Sequence, residues 1–146
     1  MLGAICGDVL GSSYEFEEKK YEDISKIKLM LATDTVTDDS AMTLAVADWI
    51  LHDIEKAYLD DEKLKRMLAE KFVWYAFKVF AGQSLGFGER FWEWLCCVDL
   101  LWEFEPINSY GNGAGMRVSP VGWAFDTLEE TLRFAKLTAD VTHNHP

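Results

Sequence analysis

The sequence predicts an all-α fold. Two apolar stripes with helical spacing, two side-chain helix starts and the lack of any alternating strand pattern carry that prediction. Met42, Ala45, Val46, Trp49 and Ile50 fall on one face of a helix over Asp38–Asp53. Leu64, Met67, Leu68, Phe72, Tyr75 and Val79 form a second stripe within 60–80. Thr37 is a good N-cap, with Asp38 and Asp39 in the first turn, where carboxylates favour the helix dipole. Thr127 with Glu130 fits a capping box opening a last helix through Val141.

The remaining elements follow in order. Residues 1–13 are small and apolar, with Gly3, Gly7 and Gly11 on one helical stripe, suited to a close helix contact or tight loop packing. Residues 14–28 are charged and read as a loop or short helix. Gly82, Gly86 and Gly88 break the chain after the second long helix. Residues 91–104 read as a helix that ends before Pro106. Residues 108–115 form the richest loop, with glycines at 111, 113 and 115, and Pro120 starts a short helix through Phe125. No repeat, low-complexity stretch or interdomain linker divides the chain, so 1–146 reads as a single unit.

Composition narrows the function. Hydrophobic residues make up 49 %, with six Trp, nine Phe and five Tyr, which is globular rather than disordered. The net charge of -11 argues against nucleic acid and against anionic membranes, both of which call for a basic face. Cys6, Cys96 and Cys97 are odd in number and lack zinc spacing. Cys96 and Cys97 sit in an apolar run and are expected as buried thiols, which suits a reducing cytoplasm. The start has no basic region before its apolar stretch, so no signal peptide is expected, and no run is long enough to span a bilayer.

Three clusters offer chemistry. Thr37, Asp38, Asp39 and Ser40 put hard oxygen donors at a helix start, suited to Mg²⁺ or Mn²⁺; an ordinary acidic cap is the alternative. Asp8 interrupts an apolar stretch and Glu15 follows it; either faces a site or is simply solvated. Ser109, Tyr110, Gly111, Asn112 and Gly113, running on to Arg117, form a glycine loop able to approach phosphate oxygens closely, or ordinary turn chemistry. Arg117 would add charge-assisted contacts, and Tyr110 would stack on a base or ribose. His143 and His145 flank Asn144 near the end of the sequence.

In order, these weak signals become one strong one. Gly7-Asp8-Val9-Leu10-Gly11, Tyr14-Glu15-Phe16, the stretch 37–45, the stretch 108–123 and the T-H-N-H-P of 142–146 together resemble the ADP-ribosylglycohydrolase family. The glycine loop with its R-V-S-P-V-G-W continuation is the most specific part. The resemblance implies an all-α domain with a binuclear magnesium site in a central cleft. It implies metal ligation by Thr37, Asp38 and Asp39, and a catalytic or access-governing role for Glu15 beside Asp38 and Asp39. It implies substrate binding by Ser109, Tyr110, Gly111, Asn112, Gly113 and His143. The implied reaction is hydrolysis of the C1″ glycosidic bond of ADP-ribosylated arginine or a related conjugate, on a protein or a small molecule.

The likeness covers only the N-terminal half of that family's pattern. A late D-x-D-T or D-x-D-S element, which completes the metal site in the family, has no match here. Thr33-Asp34-Thr35 is the nearest stretch and precedes the T-D-D element. The expectation is therefore weak metal binding and slow or no turnover by this chain alone. Apolar helix surface is expected to drive self-association or to await a complementing chain. The alternative to an enzyme is a catalytically inactive ADP-ribose-binding or structural remnant.

Overall fold

A computed structural model describes residues 1–15, 25 and 27–145 of the chain. Most of the charged segment 14–28, including Phe16, Glu17 and Glu18, therefore lies outside the described residues. Among the described residues eight α-helices account for the architecture and no strand occurs. They are α1 (Leu2–Gly11), α2 (Asp38–His52), α3 (Ile54–Ala57), α4 (Asp61–Trp74), α5 (Glu89–Leu101), α6 (Gly113–Arg117), α7 (Val121–Ala124) and α8 (Leu128–Asp140).

The two expected helix starts form for the expected reason. The Thr37 hydroxyl accepts from the Asp39 N–H at 3.3 Å, and the Thr127 hydroxyl accepts from the Glu130 N–H at 3.2 Å. Thr127 also donates to the Glu130 carboxylate at 2.8 Å, which joins the two side chains of that cap. Asp60 caps α4 through the Lys63 N–H at 3.0 Å. The second stripe continues past Trp74 as one π-helical turn, Tyr75–Val79, in which the Phe80 N–H reaches back to the Tyr75 carbonyl. Gly82 then ends the run with φ of +80°, a conformation that a side chain would strain.

Helix α2 is the central element, packed along α4 and touched by α1, α6 and α7. Trp49, Met42 and Val46 from α2 meet Leu64, Leu68 and Phe72 from α4, and all six are fully buried. Leu95 from α5, Val121 from α7 and Phe134 from α8 close the same core. Side chains of this size contribute about 1.5–3 kcal/mol each relative to exposure. The indole N–H of Trp49 reaches the Leu64 carbonyl at 3.1 Å, so the largest core residue leaves no orphan donor.

Four expectations need correction. Among the described residues the glycine stripe of α1 makes no close contact: a Cβ on Gly3, Gly7 or Gly11 would meet nothing within 4 Å, and α1 buries no residue. Cys96 and Cys97 are half-buried rather than buried, because Trp94, Leu95 and Val98 take the core face of α5 and leave them on its flanks. The glycine-rich stretch is only partly a loop, since Gly113 opens α6. Val79 closes the second stripe in sequence but is 48 % exposed, because the π turn rotates it off the apolar face.

No helix of the described residues is long and apolar enough to cross a membrane. Much apolar surface remains exposed, including Leu51, Trp123, Leu128 and Leu132.

A candidate metal and phosphate cleft

The start of α2 is held from two sides. The Leu85 carbonyl accepts the Asp38 N–H at 2.8 Å. From α1, the Asp8 carboxylate accepts the Thr37 N–H at 3.1 Å, the Ser40 N–H at 3.2 Å and the Thr37 hydroxyl. Asp8 thus satisfies backbone donors that a helix start leaves without partners. Its placement answers why a charge interrupts an apolar stretch: the carboxylate faces a helix N-terminus.

A short 3₁₀ turn, Ser12–Tyr14, carries the chain on from α1 and brings Glu15 beside α2. Glu15, Asp38 and Asp39 each offer a carboxylate oxygen, all within 4.8 Å of one another. Among the described residues no lysine, arginine or histidine is paired with them. Burial, then the Asp39 charge, raise the Asp38 carboxyl to about 6 against the opposing pull of its own backbone N–H. Asp39 is raised by burial and then by Asp8, and Glu15 by burial and then by Asp39. Hard oxygen donors that repel one another and lack a cation are the donor set that a divalent ion would relieve. Thr37 sits at the same helix start, buried, with its hydroxyl proton directed to Asp8. Asp34 is elsewhere: it closes a turn through the Leu31 N–H at 2.7 Å and the Ser13 hydroxyl at 2.6 Å.

The glycine loop approaches this cluster because several bonds place it. The Thr43 hydroxyl of α2 reaches the Met116 carbonyl of α6 at 3.3 Å. Arg90 at the start of α5 donates to the Ile107 carbonyl at 2.6 Å, just ahead of the loop. Asn108 turns the chain with φ of +50°, which asparagine tolerates better than most residues. The Ser109 N–H bonds the Thr142 carbonyl at 3.0 Å, and the Ser109 hydroxyl accepts the Gly111 N–H at 3.1 Å. His143 reaches the Gly111 carbonyl through Nε2 at 3.0 Å. A Cβ at Gly113 would stand 3.3 Å from the His143 ring, so the two elements touch at that point.

One cleft of about 490 Å³ joins both halves. Glu15, Asp38 and Asp39 line it together with Ser109, Tyr110, Gly111, Asn112, Gly113 and His143. Of the residues that the resemblance assigned to the site, all but Thr37 line it directly, whereas Asp8 and Ser40 do not. His145 lies instead against the Tyr110 ring, at 5.3 Å between centroids. Sequence reasoning missed Glu89, Arg90 and Phe91, which complete the wall. Only their position after the Gly86–Gly88 break could have flagged them. Arg117 lines the cleft too, yet it is buried and bonded to protein groups rather than extended as a free surface cation.

The described residues form a helical domain in which one cleft sets a carboxylate cluster against a glycine-lined loop. The chain belongs to the ADP-ribosylglycohydrolase family, whose profile it matches over residues 1–146. It is similar to the ADP-ribosylhydrolase ARH3 of Mus musculus, 27 % identical over 162 residues, covering 98 % of this chain and 42 % of that protein. The Homo sapiens ARH3 is 27 % identical over 165 residues, covering 98 % and 43 %. The chain thus spans less than half the length of these curated relatives. No solved structure matches it significantly.

Proposed function

We propose that the cleft binds the ADP-ribosyl group of a modified protein or small molecule, with Mg²⁺ or Mn²⁺ at the carboxylate cluster, for hydrolysis of the C1″ glycosidic bond. The observation that supports this best is a single cleft lined at once by Glu15, Asp38 and Asp39 and by the 109–113 loop with His143. Thr37, Asp38 and Asp39 would hold the cation. Glu15, at the edge of the cluster, would orient the reacting ribose. Backbone groups of Ser109–Gly113 would receive the diphosphate, with the exposed Tyr110 ring available to cover the sugar or base. When bound, the cation supplies Lewis acidity that polarises a water and orients the ribose hydroxyls. Asp38 or Asp39 takes the proton the attacking water loses. The bond from C1″ to the leaving atom breaks, that atom gains a proton, and ADP-ribose is released with a free amine or alcohol.

The donor count favours a second reading beside the first. Two Mg²⁺ ions, each in near-octahedral oxygen coordination, are not well held by three or four protein ligands, even with waters. The described residues of the cluster offer Thr37, Asp38, Asp39 and Glu15. Binding without chemistry therefore fits the 146-residue polypeptide acting alone. The exposed apolar surface around Leu51 and Trp123 is where a complementing chain or a second copy would seat. ADP-ribose release from an ADP-ribosylarginine peptide, with and without Mg²⁺, tests the activity. Slow release that stops on chelation is expected. Release that persists after chelation counts against the metal, and binding without release favours the second reading.

A further inference from the structure

Arg117 poses a physical problem. Its guanidinium is fully buried, and no carboxylate pairs with it among the described residues. Two neutral acceptors take one of its nitrogens: Nη2 donates to the Thr138 carbonyl and to the Thr142 hydroxyl, both at 2.8 Å. The Phe72 and Phe91 rings lie 4.4 and 5.8 Å from its carbon centre, while Nε has no partner. A buried, unpaired charge is costly to keep. Burial pushes its pKa down to about 9, which still leaves it charged at neutral pH.

The bonds beyond Thr142 have a direction. Thr142 is fully buried, accepts from Arg117 and holds one proton of its own. That oxygen lies 2.7 Å from His143 Nδ1. At the far side of the ring, Nε2 faces the Gly111 carbonyl, which can only accept, so Nε2 carries the hydrogen. A neutral ring then has Nδ1 as its acceptor, and the Thr142 hydroxyl donates to it. Each step runs the same way, from Arg117 to Thr142 to His143 to Gly111. Protonating His143 would reverse the middle bond and set a second cation near Arg117. Burial, followed by the Arg117 charge, accordingly lowers the His143 pKa, although its bond to Gly111 pulls the other way.

We propose that Arg117 is a positioning residue of the cleft, acting through Thr142 to hold His143 as the Nε2–H tautomer that fixes the Gly111 carbonyl. The start, middle and end of the glycine loop all converge on residues 142 and 143. Ser109 bonds the Thr142 carbonyl, Gly111 bonds the His143 ring, and α6 returns Arg117 to the Thr142 hydroxyl. Fixing the Gly111 carbonyl also fixes the Asn112 N–H, which a trans peptide points the opposite way. Only the effect on ligand affinity rests on the function proposed above; the tautomer does not.

Long-range ¹H–¹⁵N spectra of the histidine-labelled chain at about pH 8 test it without ligand. The wild type should show a pyrrole-type Nε2 and a pyridine-type Nδ1 at His143. Thr142→Val should strip Nδ1 of its hydrogen-bond donor, moving its ¹⁵N resonance toward that of a free pyridine-type nitrogen, and weaken ADP-ribose binding by about tenfold, while Thr142→Ser keeps the wild-type resonance and affinity. Arg117→Met should move the same Nδ1 resonance in the same direction, with Arg117→Lys restoring it. A wild-type Nδ1–H form, or a Thr142→Val spectrum like the wild type, overturns the relay. These readings stand even if Arg117→Met fails to fold. The expected tautomer with no ADP-ribose affinity in the wild type would sink the proposed function and leave the relay intact.

Discussion

Replacing Asp38 and Asp39 together by asparagine should raise the melting temperature of the metal-free chain and abolish its response to Mg²⁺. Ordinary destabilising variants do neither. The Asp38 carboxyl is raised to about 6 by burial first and by Asp39 next, so its charge works against the fold. An aspartate with a folded pKa above its unfolded value carries its penalty in full above the folded value. The penalty fades as pH falls and is gone below about 3.9, the unfolded value. Acidifying the metal-free wild type from about pH 7 to about pH 5 should therefore raise its melting temperature, an effect the double variant should lack. Mg²⁺ bound at the cluster would relieve the same repulsion at neutral pH. At about 100 times its dissociation constant it would add about 2.7 kcal/mol, or roughly 10 °C at about 4 °C per kcal/mol. Calorimetric melting of both proteins at two pH values, with and without Mg²⁺, reads all of these effects. A double variant less stable than the metal-free wild type would show that these carboxylates serve the fold rather than a cation.

Gly113→Val should lower ADP-ribose affinity by at least about tenfold, or about 1.4 kcal/mol, with little change in helix content. The Cβ would begin 3.3 Å from the His143 ring and 3.9 Å from an Arg117 nitrogen. His143 cannot yield freely, because Thr142 and Gly111 hold both its ring nitrogens. The strain would therefore fall on the loop. Gly3→Ala is the control, since its Cβ meets nothing within 4 Å. It should leave affinity unchanged and stabilise α1 by up to about 1 kcal/mol. Isothermal titration with ADP-ribose measures both variants. Equal affinity of Gly113→Val and wild type would mean that the close approach of loop and histidine has no bearing on the ligand.

The long helices were legible because their signals are local. Thr37 and Thr127 make the caps their chemistry predicts, and Leu64, Leu68 and Phe72 bury as their spacing requires. Signals that depend on another element misled. Nothing within residues 1–11 says that no described neighbour packs on the glycine stripe, and nothing at 96–97 says which face of α5 meets the core. At the site, residue types and order named the cleft's polar lining, but partners distant in sequence stayed hidden. Asp8 serves the start of α2 across 29 residues, and Arg117 meets Thr142 across 25. Arg117 read as a ligand contact because an arginine after a glycine loop resembles one. Burial among Phe72, Phe91 and Thr138 depends on tertiary packing, which local pattern does not encode.

Everything functional here assumes that the carboxylate cluster and the glycine loop serve one ligand. Titration of the 146-residue chain with ADP-ribose at several Mg²⁺ concentrations measures that coupling directly. Affinity should climb with Mg²⁺ in the wild type and stay flat in the Asp38→Asn, Asp39→Asn double variant. Wild-type affinity that ignores Mg²⁺, or no binding at any concentration, would contradict it.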